Sequence, residues 1–149
     1  MNQQAESTVT PTPWHLWFIG VLAVLWSSVG CLDYFMTETK NEEYLSGFEP
    51  ELLEYFYSFP TWMIALWAVA VWGGLLGAIV LLLRKRQATP ILIASTSAML
   101  ITTVRNYGFS DGMKFMGDTT SLVLTGLIVV IGVALIFYAR AMTKRGVLR

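Results

Sequence analysis

The sequence predicts an all-α fold, a transmembrane bundle of four helices with a short amphipathic helix in the first extracytoplasmic loop. Composition is the first reason. Of 149 residues, 55% are hydrophobic and only 13% charged, with a mean hydropathy of +0.58, whereas about a quarter of a soluble domain is charged. Length is the second. Four apolar stretches, about 14–35, 60–83, 89–109 and 119–139, each reach the roughly 20 residues that cross ~30 Å of hydrocarbon as helix. The third is the lack of period-2 alternation: backbone in lipid must satisfy its hydrogen bonds internally, and these runs do so as helices rather than barrel strands.

The elements follow in order. Residues 1–13, "MNQQAESTVTPTP", form a polar tail without a lysine or arginine. The positive n-region of a signal peptide is therefore missing, and the first span is expected to stay on the protein. That span starts at Trp14 and closes on "WSSVGCLDYF", which carries Asp33. In the loop 36–59, the stretch "FEPELLEYFYSF" repeats Leu52, Leu53, Phe56 and Phe59 at helical spacing, with Glu51, Glu54 and Ser58 elsewhere on the wheel and Pro50 suited to a first turn. Its many aromatic rings fit the headgroup region, so this helix is expected to lie on the outer leaflet. The second and third spans open beside Pro60 and Pro90, where a missing N–H is no loss. Asp118 and Thr119 are N-cap candidates for the fourth. Residues 14–139 thus form one membrane domain, followed by a basic tail, 140–149.

Charge sets the orientation. Arg84, Lys85 and Arg86 between the second and third spans lie on the same side as Arg140, Lys144, Arg145 and Arg149, while Lys40, Lys114 and Arg105 fall on the other. The positive-inside rule then puts both termini in the cytoplasm. The formal net charge of zero hides this asymmetry, because the acidic residues gather in the outer loops.

Helix packing in lipid rests on small residues. In "ALWAVAVWGGLLGAIV", Gly73 and Gly77 make a GxxxG step, and Ala70 with Gly74 makes a second beside it. Close packing is expected there, either with a neighbour in the chain or with a second copy. Trp26 and Trp72, deeper than the other tryptophans, read as filler, and Cys31 reads as a small interface residue.

Asp33 is the residue that most needs a partner. Gly30, Ser27 and Trp26 share its face of the first helix, and Thr102, Ala98 and Ser95 form a similar stripe below Arg105 on the third. At about 1.5 Å per residue both charges lie at similar depth, in the outer third of the bilayer. An unpaired charge there costs several kcal/mol, so the expectation is an Asp33–Arg105 pair. The pair reads either as a clamp between the first and third helices or, with Tyr34, Thr102 and Asn106, as a site for a polar solute.

Enzymatic chemistry finds no support. His15, the sole histidine, is far along the first helix from Asp33 and Cys31, so neither a nucleophile–base pair nor a metal cluster assembles. No catalytic residue, metal or cofactor is expected. Nucleic acid has no domain to bind it, and the basic residues are explained by topology.

The runs "LWSSVGCLDYFMTETKNEEYL", "FPTWMIALWAVAVWGGLLGAIVLLLR" and "YARAMTKRGVLR" resemble a group of small bacterial four-helix membrane proteins, mostly uncharacterised and sometimes labelled "sugar transporter". The elements that match are Gly30, Asp33, Tyr34, Pro60, Trp62, Gly73, Gly74 and Gly77, while Ser27 stands where that group often has asparagine. The resemblance implies a multi-pass protein of the bacterial inner membrane. Two functions are expected to compete: a non-enzymatic membrane or accessory protein, and a small solute (sugar-like) transporter that would act as an oligomer through the second helix.

Overall fold

The computed structural model describes residues 9–149, so most of the polar N-terminal tail lies outside the described residues. The described chain is helical, without a strand. Four long helices, α1 (Trp14–Glu38), α4 (Thr61–Leu82), α5 (Ala88–Gly108) and α7 (Thr119–Lys144), are each long and apolar enough to cross a membrane. Three short ones fill the loops: α2 (Glu42–Leu45), α3 (Pro50–Tyr57) and α6 (Gly112–Met116). This is a multi-pass membrane protein.

Local chemistry explains the starts. Pro60 is the N-cap of α4, and Pro50 opens α3. Asp118 caps α7 by accepting from the Ser121 N–H at 3.1 Å, and its carboxyl is held below the usual range by the Ser121 hydroxyl and N–H. The stops share one device. After α1, α4 and α7, a residue with positive φ (Lys40, Arg84 and Gly146) turns the chain back, and paired N–H groups close on the last carbonyls. At α7, for example, Gly146 donates to Thr143 and Val147 to Met142, a Schellman closure. Only one of the three uses glycine, so the sequence marks only one of these stops.

Two boundaries move outward. α1 runs on to Glu38 and α7 to Lys144, past the apolar windows, since a helix continues into the headgroup layer until a turn stops it.

The order of packing is α1, α4, α5, α7: α4 lies against both α1 and α5, and α7 rests on α5. The glycines of α4 permit this. A Cβ on Gly73 would stand 3.1 Å from that of Ser95, one on Gly77 would come within 2.6 Å of Leu92, and Gly74 faces both Ser95 and Ser27. Ser95 closes the contact by donating to the Ala70 carbonyl at 2.6 Å. On the other side Gly30 faces Val71, and the buried Cys31 thiol donates to the Val71 carbonyl at 3.3 Å. The GxxxG step is therefore filled within the chain by α5. Trp26 and Trp72 are not filler; they are exposed along with Trp14, Phe18, Leu25 and Phe137, as lipid-facing side chains are.

Two buried clusters close the ends. At the basic end Leu16, Leu81, Ala88, Leu92, Ala139 and Met142 bring all four long helices together around Val147 and Leu148. The last residues are not a free tail. Leu148 is fully buried, Arg149 donates its N–H to the Arg84 carbonyl at 2.8 Å, and Arg86 donates to the Arg149 carbonyl at 3.0 Å. His15 and the Tyr138 hydroxyl share a hydrogen bond that joins α1 to α7 at this end. At the acidic end Tyr55, Phe59 and Met63 pack with Leu52, Phe56, Ile64, Phe115 and Met116.

Candidate functional site at the acidic end

Asp33 lies on the penultimate turns of α1, half-buried, and it does have a partner. The Tyr44 hydroxyl of α2 donates to its Oδ1 at 2.8 Å. α2 is positioned for this by Asn41, whose side chain accepts from the Tyr44 N–H at 2.9 Å. Desolvation and the neighbouring Asp33 carboxylate push the Tyr44 hydroxyl up to about 12, so it stays a proton donor across the physiological range.

Arg105 is elsewhere. Its guanidinium lies over the Phe59 ring, 5.7 Å from the centroid, a cation–π contact. The expected Asp33–Arg105 pair is thus corrected: the ionic partner of Asp33 is replaced by a phenol, and that of Arg105 by an aromatic face. The physical reason is the position of α4. The small stripes of α1 and α5 are complementary to the α4 glycines, not to each other, so α4 stands between the two helices that carry the charges.

The remaining candidates are occupied as well. Asn106 accepts from the Tyr55 hydroxyl at 2.9 Å, and Ser110 sits 2.7 Å from the same hydroxyl while donating to the Asn106 carbonyl at 3.0 Å. Gly112 lets α6 begin directly over that carbonyl, where a Cβ would collide with it. Tyr34 meets Trp67 edge-to-face at 5.0 Å. Thr102 returns its hydroxyl to the Met99 carbonyl at 2.8 Å. The packing residues Gly30, Gly73, Gly74 and Gly77 lie in the α1–α4–α5 contacts already described.

The structure therefore does not bring Asp33, Arg105, Tyr34, Thr102 and Asn106 into one site. Instead three of them hold the loop between α1 and α4 onto the bundle: Asp33 through α2, Asn106 through α3, and Arg105 through Phe59. The hub is Tyr55, buried, stacked on Phe115 at 5.0 Å and edge-on to Phe59 at 5.1 Å. Sequence reasoning missed it, having read Leu52, Leu53, Phe56 and Phe59 as the apolar face of a helix on the outer leaflet. The available signal was its spacing from Phe59, one helical turn away. Among the described residues no group of His, Cys, Asp and Glu is placed to hold a metal. Compared with known protein families, characterised proteins and solved structures, the chain matches none.

Proposed function

We propose that this chain is a non-enzymatic integral membrane protein with a structural or accessory role, set in a bacterial inner membrane with both termini in the cytoplasm. One observation carries the reading: the polar groups best suited to a solute site, Asp33, Arg105 and Asn106, are engaged by the loop that covers the acidic end. A group that closes a cap is not free to bind and release a solute. The Gly73 and Gly77 step is filled by α5, which supports a bundle complete in one copy, without an oligomer through α4. The run of basic residues at one end supports the proposed orientation. No nucleic acid or cofactor enters this reading.

The test is a flux assay on purified protein in vesicles, using a panel of labelled sugars, beside native-mass measurement and thermal unfolding. Flux should match protein-free vesicles, and Asp33→Asn should lower the unfolding temperature. Saturable flux that Asp33→Asn abolishes at unchanged stability would establish the alternative, a small-solute transporter.

A further inference from the structure

We propose that the open cleft between the start of α5 and the end of α7 binds the phosphate group of an anionic lipid. Arg86, Thr89, Arg140, Thr143 and Lys144 line it, and its volume is about 400 Å³, within the roughly 300–1,000 Å³ of small-ligand sites.

Three independent features agree on a phosphate. First, among the described residues no acidic side chain stands at this end. The acidic side chains among the described residues are Asp33 and Glu38 near the end of α1 and those of the two loops of the acidic end, Asp118 included, so Arg86, Arg140 and Lys144 face no carboxylate side chain of the described residues. Arg140, Thr143 and Lys144 share one face of α7 at helical spacing, which puts two positive charges on one wall and Arg86 on the other. Second, the cleft contains a hydroxyl with nothing to bond. Thr89 Oγ1 is buried and, among the described residues, is the only buried side-chain polar atom without a partner. Such an orphan is destabilising while it stays unpaired, and a phosphate oxygen would accept its hydrogen bond. Thr143, by contrast, already donates to the Ala139 carbonyl at 2.9 Å. Third, Thr89 lies in the first turn of α5, where the helix dipole favours an anion. The opposing dipole at the end of α7 is offset by Arg140 and Lys144 and by the N–H groups of Gly146 and Val147.

A lipid is the favoured source because the cleft lies where helices leave the hydrocarbon, at headgroup level, and basic pockets between membrane helices suit such headgroups.

The experiment titrates the full chain in neutral detergent micelles with short-chain phosphatidylglycerol, phosphatidylcholine and glycerol 3-phosphate, read by native mass spectrometry. Phosphatidylglycerol should bind at least about tenfold more tightly than phosphatidylcholine. The paired variant Arg140→Gln/Lys144→Gln should weaken phosphatidylglycerol about thirtyfold, since each surface cation contributes about 1 kcal/mol and about 1.4 kcal/mol is tenfold. The control Lys85→Gln/Arg145→Gln removes equal charge outside the cleft and should change binding less than about threefold. Thr89→Val keeps the shape and β-branching. It should weaken binding while leaving the unfolding temperature equal to or above the parent's, which a merely structural hydroxyl would not do. Glycerol 3-phosphate binding as tightly as the lipid would keep the phosphate site and assign it to a soluble ligand. Equal loss in both paired variants, no preference over phosphatidylcholine, or unchanged binding by Thr89→Val would overturn the proposal.

Discussion

Asp33 and Tyr44 offer the most discriminating perturbation of this fold. Tyr44→Phe deletes only the hydroxyl that donates to Asp33 at 2.8 Å, and Asp33→Ala deletes its acceptor. A hydrogen bond to a charged group contributes about 1.5–3 kcal/mol. Both residues are only partly buried, so water competes, and coupling energies in membrane proteins average about 0.6 kcal/mol with a maximum near 1.7. The expected Asp33–Tyr44 coupling is therefore about 1 kcal/mol, measured by a double-mutant cycle on reversible unfolding in mixed micelles. For a chain of this length that corresponds to a fall of about 2–4 °C in unfolding temperature. A parallel cycle on Asp33→Ala and Arg105→Ala should add within about 0.5 kcal/mol, because the two share no contact. The phenol supplies a further readout. Its folded pKa, about 12, lies above the ordinary value of 10, so the stabilisation is complete below pH 10 and is lost as pH rises through 12. Spectroscopic titration should show a late phenolate component that is lost in Tyr44→Phe. An Asp33–Arg105 coupling larger than that of Asp33–Tyr44 would refute the reasoning.

Other outcomes follow from the same contacts. Gly73→Leu should destabilise the bundle by at least about 1–3 kcal/mol, since overpacking pushes α5 from α4; Gly126→Leu, where a Cβ meets nothing within 4 Å, should unfold like the parent. Leu148→Ala, at a fully buried site, should cost about 2–5 kcal/mol in chemical unfolding, an effect absent if the last residues were a free tail. Tyr55→Phe keeps the stack on Phe115 but leaves Asn106 and Ser110 without their shared hydroxyl. It should cost about 1–3 kcal/mol and raise hydrogen exchange in α2 and α3 before the long helices respond.

The long helices were legible because hydropathy, proline and N-cap signals are local: Pro60, Pro50 and Asp118 sit where one-dimensional rules put them. The glycine step was legible too, as a place of close approach. What was not legible is which helix fills it. Small residues on α1 and α5 match one another in sequence as well as they match α4, and only the path of the chain decides. From that ambiguity came the Asp33–Arg105 pair, drawn across the wrong interface. Tyr55 was hidden for a different reason. A tyrosine at a membrane surface is expected at the headgroups, and burial of its hydroxyl depends on Asn106 and Ser110, far along the chain. The stops at Lys40 and Arg84 were silent because the left-handed turn there is held by closure bonds rather than by glycine.

The cluster around Leu148 implies a schedule for biogenesis. Leu16, Leu81 and Leu92 enter the membrane with the first three long helices, yet the side chains that close over them, Val147 and Leu148, leave the ribosome after everything they seal. Until then the basic end is an open apolar hollow. The strap from Arg149 to Arg84 and Arg86 is thus a latch that can fasten only after α7 has been made, so a chain cut before Val147 would leave that hollow uncovered.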